Sequence, residues 1–281
     1  MSYETRVIAD SVNPAGVRLT SVIINLPRFI LAQLNTHRVL SKSTASSRAM
    51  PVNKVRDMVM IEPYTPFYWG RNQRGMQAEA ELSPEDQKRA ERVWLRLRDE
   101  MVKGSVELQD IGVHKQITNR LLEPWLFTSV LVTATDWKNL FSLRLHHAAQ
   151  PEFQRVVQNL KQAMDKSTAL PLMPGEWHRP FAQPEDLEFA KSAVCPTASK
   201  GLVDPVLNQL CIARCARLSY MTHDGKRDPA QDLRLFHDLE RDRHIGPMEH
   251  VAMAIPTKDR IGNFRGWIQY RKTMKGESGE D

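Results

Sequence analysis

Residues 17–26, VRLTSVIINL, run directly into Pro27 and an apolar helical stripe, and this junction constrains the fold more than any other stretch. Five of those ten residues are β-branched, which suits a pleated, buried surface better than a helix. Pro27 fits a first helical position, where its missing N–H costs nothing. Phe29, Ile30, Leu31 and Leu34 then form the stripe, and Gln33 and His37, four apart, share a helix face. After Arg38 the pattern stops. Residues 41–47 are Ser, Lys, Ser, Thr, Ala, Ser and Ser, followed by Arg48, which reads as a polar loop. Hydroxyls and backbone N–H groups bracketed by two arginines suit an anion such as phosphate. Spacing alone equally allows a solvated loop after a surface helix.

Residues 5–10 read as a further strand. Residues 51–82 read as irregular, with Pro51, Pro63, Pro66, Gly70 and Gly75 and an aromatic cluster of Tyr64, Phe67, Tyr68 and Trp69; such long loops are commonly functional. Ser83-Pro84-Glu85-Asp86 starts a helix expected to reach about Gly104. Helices are also predicted over 115–122, 137–147 and 153–164, while 126–133 (LFTSVLVT) fits a strand or a buried helix equally. The Pro-rich residues 171–201 mark a soft boundary between a segment 1–170 and a segment 171–281, expected to pack as one unit. The second segment carries helices over 204–217 and 229–243, a turn at His244–His250 leading into a strand, and a last helix from about residue 260. Strand, helix and Gln269-Tyr270-Arg271 also echo strand, helix and Thr36-His37-Arg38 at an offset of 233 residues, with Gly266 in place of Gln33.

Composition narrows the function classes. With 41% hydrophobic and 26% charged residues, the 281-residue chain has the make-up of a soluble globular protein. The net charge of +6 is spread through the chain, which suits small anionic substrates and shows no nucleic-acid arm. The N-terminus lacks the apolar core of a signal peptide, and Pro27 and Arg28 break the most apolar run, so no membrane partner and a cytoplasmic location are expected. Cys195, Cys211 and Cys215 form no C-x-x-C; a disulfide framework is not indicated, and Cys211 and Cys215 share a helix face as core residues would. The spacing of His146-His147 and of His244 and His250 matches no common ligand pattern, so no metal is expected. Neither G-x-G-x-x-G, a Walker A loop nor G-x-S-x-G is present. What remains are polar residues set among apolar ones in three places: Gln33, His37 and Arg38; Arg144, His147 and Gln150; His244, Glu249 and His250.

These residues carry a family resemblance. Thr36-His37-Arg38, seven residues (Val39–Ala45), Ser46 and then Arg48 resemble the R-H-R-x7-S signature of the flavin-dependent thymidylate synthases, with Gln33 matching a Gln just upstream. Leu143-Arg144 with Ala149-Gln150-Pro151-Glu152 is similar to the family's L-R-x4-A-Q-x-E-I-R. Ala216-Arg217-Leu218-Ser219-Tyr220 and His244–His250 are similar to A-R-x-S-Y and H-x-[ST]-P-x-E-H. The departures are specific. The last motif follows the first instead of preceding it, as in a permuted or partly duplicated, phage-type relative. Thr36 replaces an Arg, Gly246 replaces Ser/Thr, and Gln154 stands where E-I-R has its Arg; Arg155 lies roughly 100° around the helix and does not substitute.

The resemblance implies an α/β fold with a mixed or antiparallel sheet. It also implies C5 methylation of a deoxypyrimidine monophosphate, dUMP to dTMP, with FAD, NADPH and methylenetetrahydrofolate. Sites would lie at subunit interfaces of a homo-oligomer: a tetramer, or a dimer if the echo is real. In the host cytoplasm of a phage-encoded enzyme or elsewhere, the roles would be the same. Gln33, Ser46, Arg48 and Gln154 would bind the nucleotide, and Arg144, Gln154 and Ser46 would serve catalysis. His37, Arg38, Arg144, His147, Ser219, His244, Glu249 and His250 would bind the cofactor. Gln154, able to donate and accept, opens dCMP or a 5-hydroxymethyl product as alternatives; an inactive nucleotide- or nucleic-acid-binding relative is the alternative of another class.

Overall fold

A computed structural model describes residues 3–218, 228–274 and 277. In chain order the elements are β1 (Thr5–Val12), β2 (Arg18–Pro27), α1 (Leu31–Asn35), β3 (Ser41–Thr44), α2 (Val52–Ile61), α3 (Pro84–Asp110), α4 (Lys115–Thr118) and β4 (Phe127–Ala134). There follow α5 (Lys138–Arg144), α6 (Pro151–Asp165), β5 (Leu170–Pro171), β6 (Trp177–His178), α7 (Asp186–Val194), α8 (Lys200–Ala216) and α9 (Pro229–Arg241). The last are β7 (Ala252–Ala254), β8 (Arg260–Ile261), β9 (Phe264–Arg265) and β10 (Trp267–Gln269).

The fold is mixed α/β. The main sheet has the order β3-β4-β2-β1-β5; all its pairings are antiparallel except the parallel β1–β5 edge. β2 and β4 pair from Thr20↔Ala134 to Pro27↔Phe127. With neighbours on both sides and cover on both faces, β4 is buried at seven of its eight positions, Thr128, Ser129 and Thr133 included, which is why 126–133 shows no alternation of apolar and polar residues. One face of the sheet presents Val22, Ile24, Leu26, Val130 and Val132 to Phe153, Val156, Val157 and Leu160 of α6. Pro151 stands in the first turn of α6, Glu152 follows, and the apolar residues recur at helical spacing. The other face presents Ser21, Ile23, Leu131 and Thr133 to His178, Phe181, Cys215, Leu218 and His250.

Helices α7, α8 and α9 are tied together by Arg214, buried on α8. It donates to both oxygens of Asp186, to Asp232 (2.9 Å) and to the Phe181 carbonyl (2.9 Å). Phe181 has a φ of +64°, a strained setting for a bulky residue that this bond helps to hold. β10, β7 and β6 form a second, antiparallel sheet.

Several local expectations are corrected. Pro27 closes β2 instead of opening a helix; a 3-10 turn, Arg28–Ile30, precedes the short α1. Residues 41–44 are an edge strand on β4, not loop, because Ser41 and Ser43 turn toward buried polar partners. Residues 52–61, read as irregular from flanking prolines, form α2, which buries Val55 and Val59 against Trp125 and Leu126. α3 begins at the Ser83 cap as expected but passes Gly104 to reach Asp110; one glycine costs about 1 kcal/mol, too little to stop a packed helix. The expected helix from residue 260 is instead β8, β9 and β10. Gly262 (φ +65°) and Gly266 (φ +69°) reverse the chain, and Asn13 donates to the Gly266 carbonyl at 3.0 Å. Gln269 therefore ends a strand where its counterpart Thr36 follows the helix α1, and the 233-residue echo has no structural counterpart.

Candidate active site

The end of α1, the end of α5 and the start of α6 meet at one place. His37 is buried, and its Nε2 accepts from Arg144 Nε at 3.1 Å. A ring nitrogen that accepts carries no proton, so this imidazole is the neutral Nδ1–H tautomer. Burial and the adjacent Arg144 push its pKa below the ordinary histidine value, against a bond to Asn139. The Arg144 guanidinium lies 4.8 Å from the centre of the Phe153 ring, whose plane His37 meets edge-on. Lys42 donates to the His37 carbonyl at 2.7 Å, and burial lowers its pKa. Beside them Gln33 donates its amide to Gln150. The bond leaves the Gln33 oxygen as an acceptor next to the Gln150 NH2 as a donor.

Gln150 lies on the rim of a cleft of about 1010 Å³. It is lined by His147–Glu152 and Gln154 together with Phe29, Pro66, Tyr68, Trp69, Gly70, Met76, Gln77, Ala78, Glu79 and Trp94. Glu152, which also lines it, is buried and accepts from the Tyr64 hydroxyl at 2.9 Å; burial, and then the Glu152 carboxylate, push the tyrosine pKa far upward. Gln154 lines the cleft, but its NH2 caps the end of α5 by donating to the carbonyls of Leu145 (3.2 Å) and His146 (3.1 Å). Only its oxygen remains for a ligand. The expectation that its amide both donates and accepts there is corrected.

The other residues singled out from the sequence are more scattered. Arg38 and Arg48 are exposed and carry no ion pair among the described residues; Ser46 is half-buried beyond β3. His147 is exposed with its ring 4.1 Å from that of His146. His244 is exposed, and Glu249 is held by Arg271. His250 is corrected: it is fully buried, with Nδ1 on Thr133 (2.8 Å) and Nε2 on Ser43 (2.9 Å), so it has no free atom for a cofactor. Ser219 lies outside the described residues. Glu152, Lys42, Tyr64 and the aromatic wall were missed as site residues; the signals were the A-Q-P-E segment and the aromatic cluster at 64–69.

Cys211 and Cys215 are buried in the core, and burial pushes the Cys211 thiol up to about 12. Cys195 is exposed, with Thr197 lowering its pKa, but it does not line the cleft. Among the described residues no three His, Cys, Asp or Glu side chains group as a metal set, and no helix is long and apolar enough to cross a membrane. The site therefore offers cations, paired amides and an aromatic wall, and no thiolate.

Residues 16–168 match the family described as "Thymidylate synthase complementing protein". Comparison with curated proteins gives no match. Among solved structures, a UMP/dUMP methylase PolB from Streptomyces cacaoi bound with 5-Br dUMP is similar at 20% identity, over 56% of this chain and 68% of that one, with a TM-score of 0.45. The same enzyme bound with 5-Br UMP gives 16% identity, 60% and 90% coverage and a TM-score of 0.48. The family match takes in more than half of the chain and includes both Gln33–Arg48 and Arg144–Gln154. It defines the class as pyrimidine-nucleotide C5 methylation. The chain belongs to the thymidylate synthase complementing protein family, the flavin-dependent thymidylate synthases.

Proposed function

We propose that this protein methylates C5 of a deoxypyrimidine monophosphate, with dUMP to dTMP as the reaction, using FAD, NADPH and methylenetetrahydrofolate. The observation that carries the proposal is the meeting of two distant motifs, Gln33 on Gln150 and His37 on Arg144. The donor and acceptor left by the glutamine pair suit the O4 and N3–H edge of a uracil. Arg144, Lys42 and the exposed Arg38 and Arg48 supply positive charge for a phosphate. A flavin fits the cleft by size and by its aromatic lining; Gln150, His147 and Trp69 would hold it, and it would supply hydride chemistry. The chain's own work is then to orient the ring edges and to exclude water. Neutral His37 positions Arg144, whose charge can stabilise negative charge developing on the pyrimidine.

A homo-oligomer would complete the site by bringing the exposed Arg48 and His244 of a second copy to it. The lone acceptor of Gln154 keeps dCMP as a second substrate, since it can take either the cytosine amino group or the uracil N3–H. Purified protein is assayed with dUMP, UMP and dCMP, with reduced flavin and methylenetetrahydrofolate, after its absorption spectrum is recorded. Flavin bands with dTMP formation support the proposal. A colourless protein that stays inactive when FAD is added defeats it.

A further inference from the structure

The turn between β3 and α2, residues 45–50, is gripped from a distant part of the chain. Lys115 on α4, and Asn119 and Glu123 on the 3-10 turn that follows it (Asn119–Trp125), stand four apart, a spacing that keeps residues near one face of a helical stretch. All three meet the 45–50 turn. The Asn119 amide donates to the carbonyls of Ser47 (2.8 Å) and Met50 (3.1 Å). The Lys115 ammonium donates to the Ala49 carbonyl at 3.2 Å, and Glu123 accepts from the Ser47 hydroxyl at 2.7 Å. Within the turn the Ala49 N–H donates to the Ser46 carbonyl at 3.1 Å, and Arg28 donates to the Ala45 carbonyl at 3.2 Å. With those carbonyls engaged, donors are left over. The N–H groups of Ser47 and Arg48 have no partner among the described residues, and the Arg48 side chain is exposed.

Asn119 is fully buried, and its side-chain oxygen is buried without a hydrogen-bond partner. An orphaned polar atom of this kind weakens a fold, and an apolar side chain in its place would carry none. The stability of the core therefore does not account for an amide here. Its donors do, because both of the bonds they make go to the 45–50 turn. We infer that Asn119 is a positioning residue for nucleotide binding: its amide holds residues 47–50 in the shape that presents Arg48 and the neighbouring N–H groups to a phosphate. Free backbone N–H groups beside an arginine suit an anion once the carbonyls of the same turn are tied elsewhere. Lys115 supports this shape through the Ala49 carbonyl, and Glu123, itself bonded by Arg120 at 2.7 Å, through the Ser47 hydroxyl. That the anion is a nucleotide phosphate rests on the function proposed above.

The test titrates the full chain calorimetrically with dUMP, with deoxyuridine and with inorganic phosphate. Wild type, Asn119→Leu, Asn119→Asp and Lys115→Met are compared, with thermal melts recorded to show which are folded. Asn119→Asp keeps the shape of the side chain and loses its donors; Lys115→Met leaves the buried amide in place and removes only the bond to Ala49. The expected result is a dUMP Kd raised about tenfold or more in both Asn119 variants, in line with the loss of one charge-assisted hydrogen bond to the phosphate. Lys115→Met shifts it in the same direction by a smaller factor and carries the test if the Asn119 variants do not fold. The Kd for inorganic phosphate rises with that for dUMP, while deoxyuridine, which has no phosphate, binds every folded variant as it binds wild type. Folded variants that bind dUMP as wild type does overturn the inference and leave the proposed function standing. An equal loss for dUMP and deoxyuridine also overturns it, because general damage to the site weakens both. If wild type itself binds no dUMP, the proposed function falls with it.

Discussion

On one face of β2 and β4, Val22, Ile24, Leu26, Val130 and Val132 meet α6 through side chains without a polar atom. On the other face, Ser21, Asn25, Ser129 and Thr133 alternate with Ile23 and Leu131, and nearly every polar atom has a named partner. Ser129 donates to Asn25 at 2.6 Å. A longer chain of bonds runs from Ser11 through His178, Ser21, Thr133 and His250 to Ser43 and joins four strands of the main sheet to β6. In neutral imidazoles one ring nitrogen donates and the other accepts, so the direction of each bond constrains the next. The first face packs by shape and area and can adjust to small changes. The second is directional, and it is the one that joins residues 171–281 to the sheet.

The largest test of this difference is acid. His178 and His250 are fully buried, and burial pushes each pKa down to about 3 from an ordinary 6.5. An unfolded chain therefore takes up these protons first as pH falls. Stability is full above about pH 6.5 and declines progressively toward pH 3, by several kcal/mol in total at about 1.4 kcal/mol per pKa unit. Urea denaturation at pH 7.5 and pH 4.5 should show a large drop in midpoint, which the double variant His178→Gln/His250→Gln flattens. An equal pH slope in the variant would show that these imidazoles do not carry the effect.

Next in size is Phe153→Ala on the apolar face. The ring is fully buried, and its loss should cost about 3–5 kcal/mol. It also removes the surface under Arg144 and beside His37, so ligand affinity should fall even where the fold survives. Unchanged affinity in a folded Phe153→Ala protein would detach the site from that face.

Ser21→Ala is a smaller change in volume on the directional face. It strips a partner from both His178 and Thr133 and should cost about 1–3 kcal/mol, measured by chemical denaturation. A cost near zero would mean that the two neighbours re-pair without it.

The smallest stability effect is expected at the exposed arginines. Arg38→Gln and Arg48→Gln should change stability by within about 0.5 kcal/mol while weakening nucleotide-monophosphate binding in a salt-dependent way. Calorimetric titration at two ionic strengths measures this, and intact binding in both variants would move the phosphate site elsewhere.

Much of the apolar face was legible before the structure was known. β1, β2 and α6 have the expected bounds to within a few residues, because strand and helix periods are written in side chains a few positions apart. The motif segments containing Gln33, His37, Arg144 and Gln150 were legible as well, and the structure brings them into contact. The directional face was not. Ser41 and Ser43 look like loop residues until Gln269, whose amide donates to Ser41, and His250, bonded to Ser43, arrive from more than two hundred residues away. His250 sits in a family-like motif that suggests a ligand contact, yet two hydroxyls from β3 and β4 occupy both of its nitrogens.

By itself, then, the sequence determined that β1 and β2 are strands and α6 a helix, where the helix α3 begins, and which polar residues stand out of pattern. Those are local properties of φ, ψ and side-chain period. The tertiary structure alone decided that residues 260–269 are strands, that His250 is sealed while His37 borders the site, and that Gln154 keeps only an acceptor free. Each of these depends on which hydrogen-bond partner arrives from a distant part of the chain, and a polar group, unlike an apolar period, has no defined role until that partner is in place.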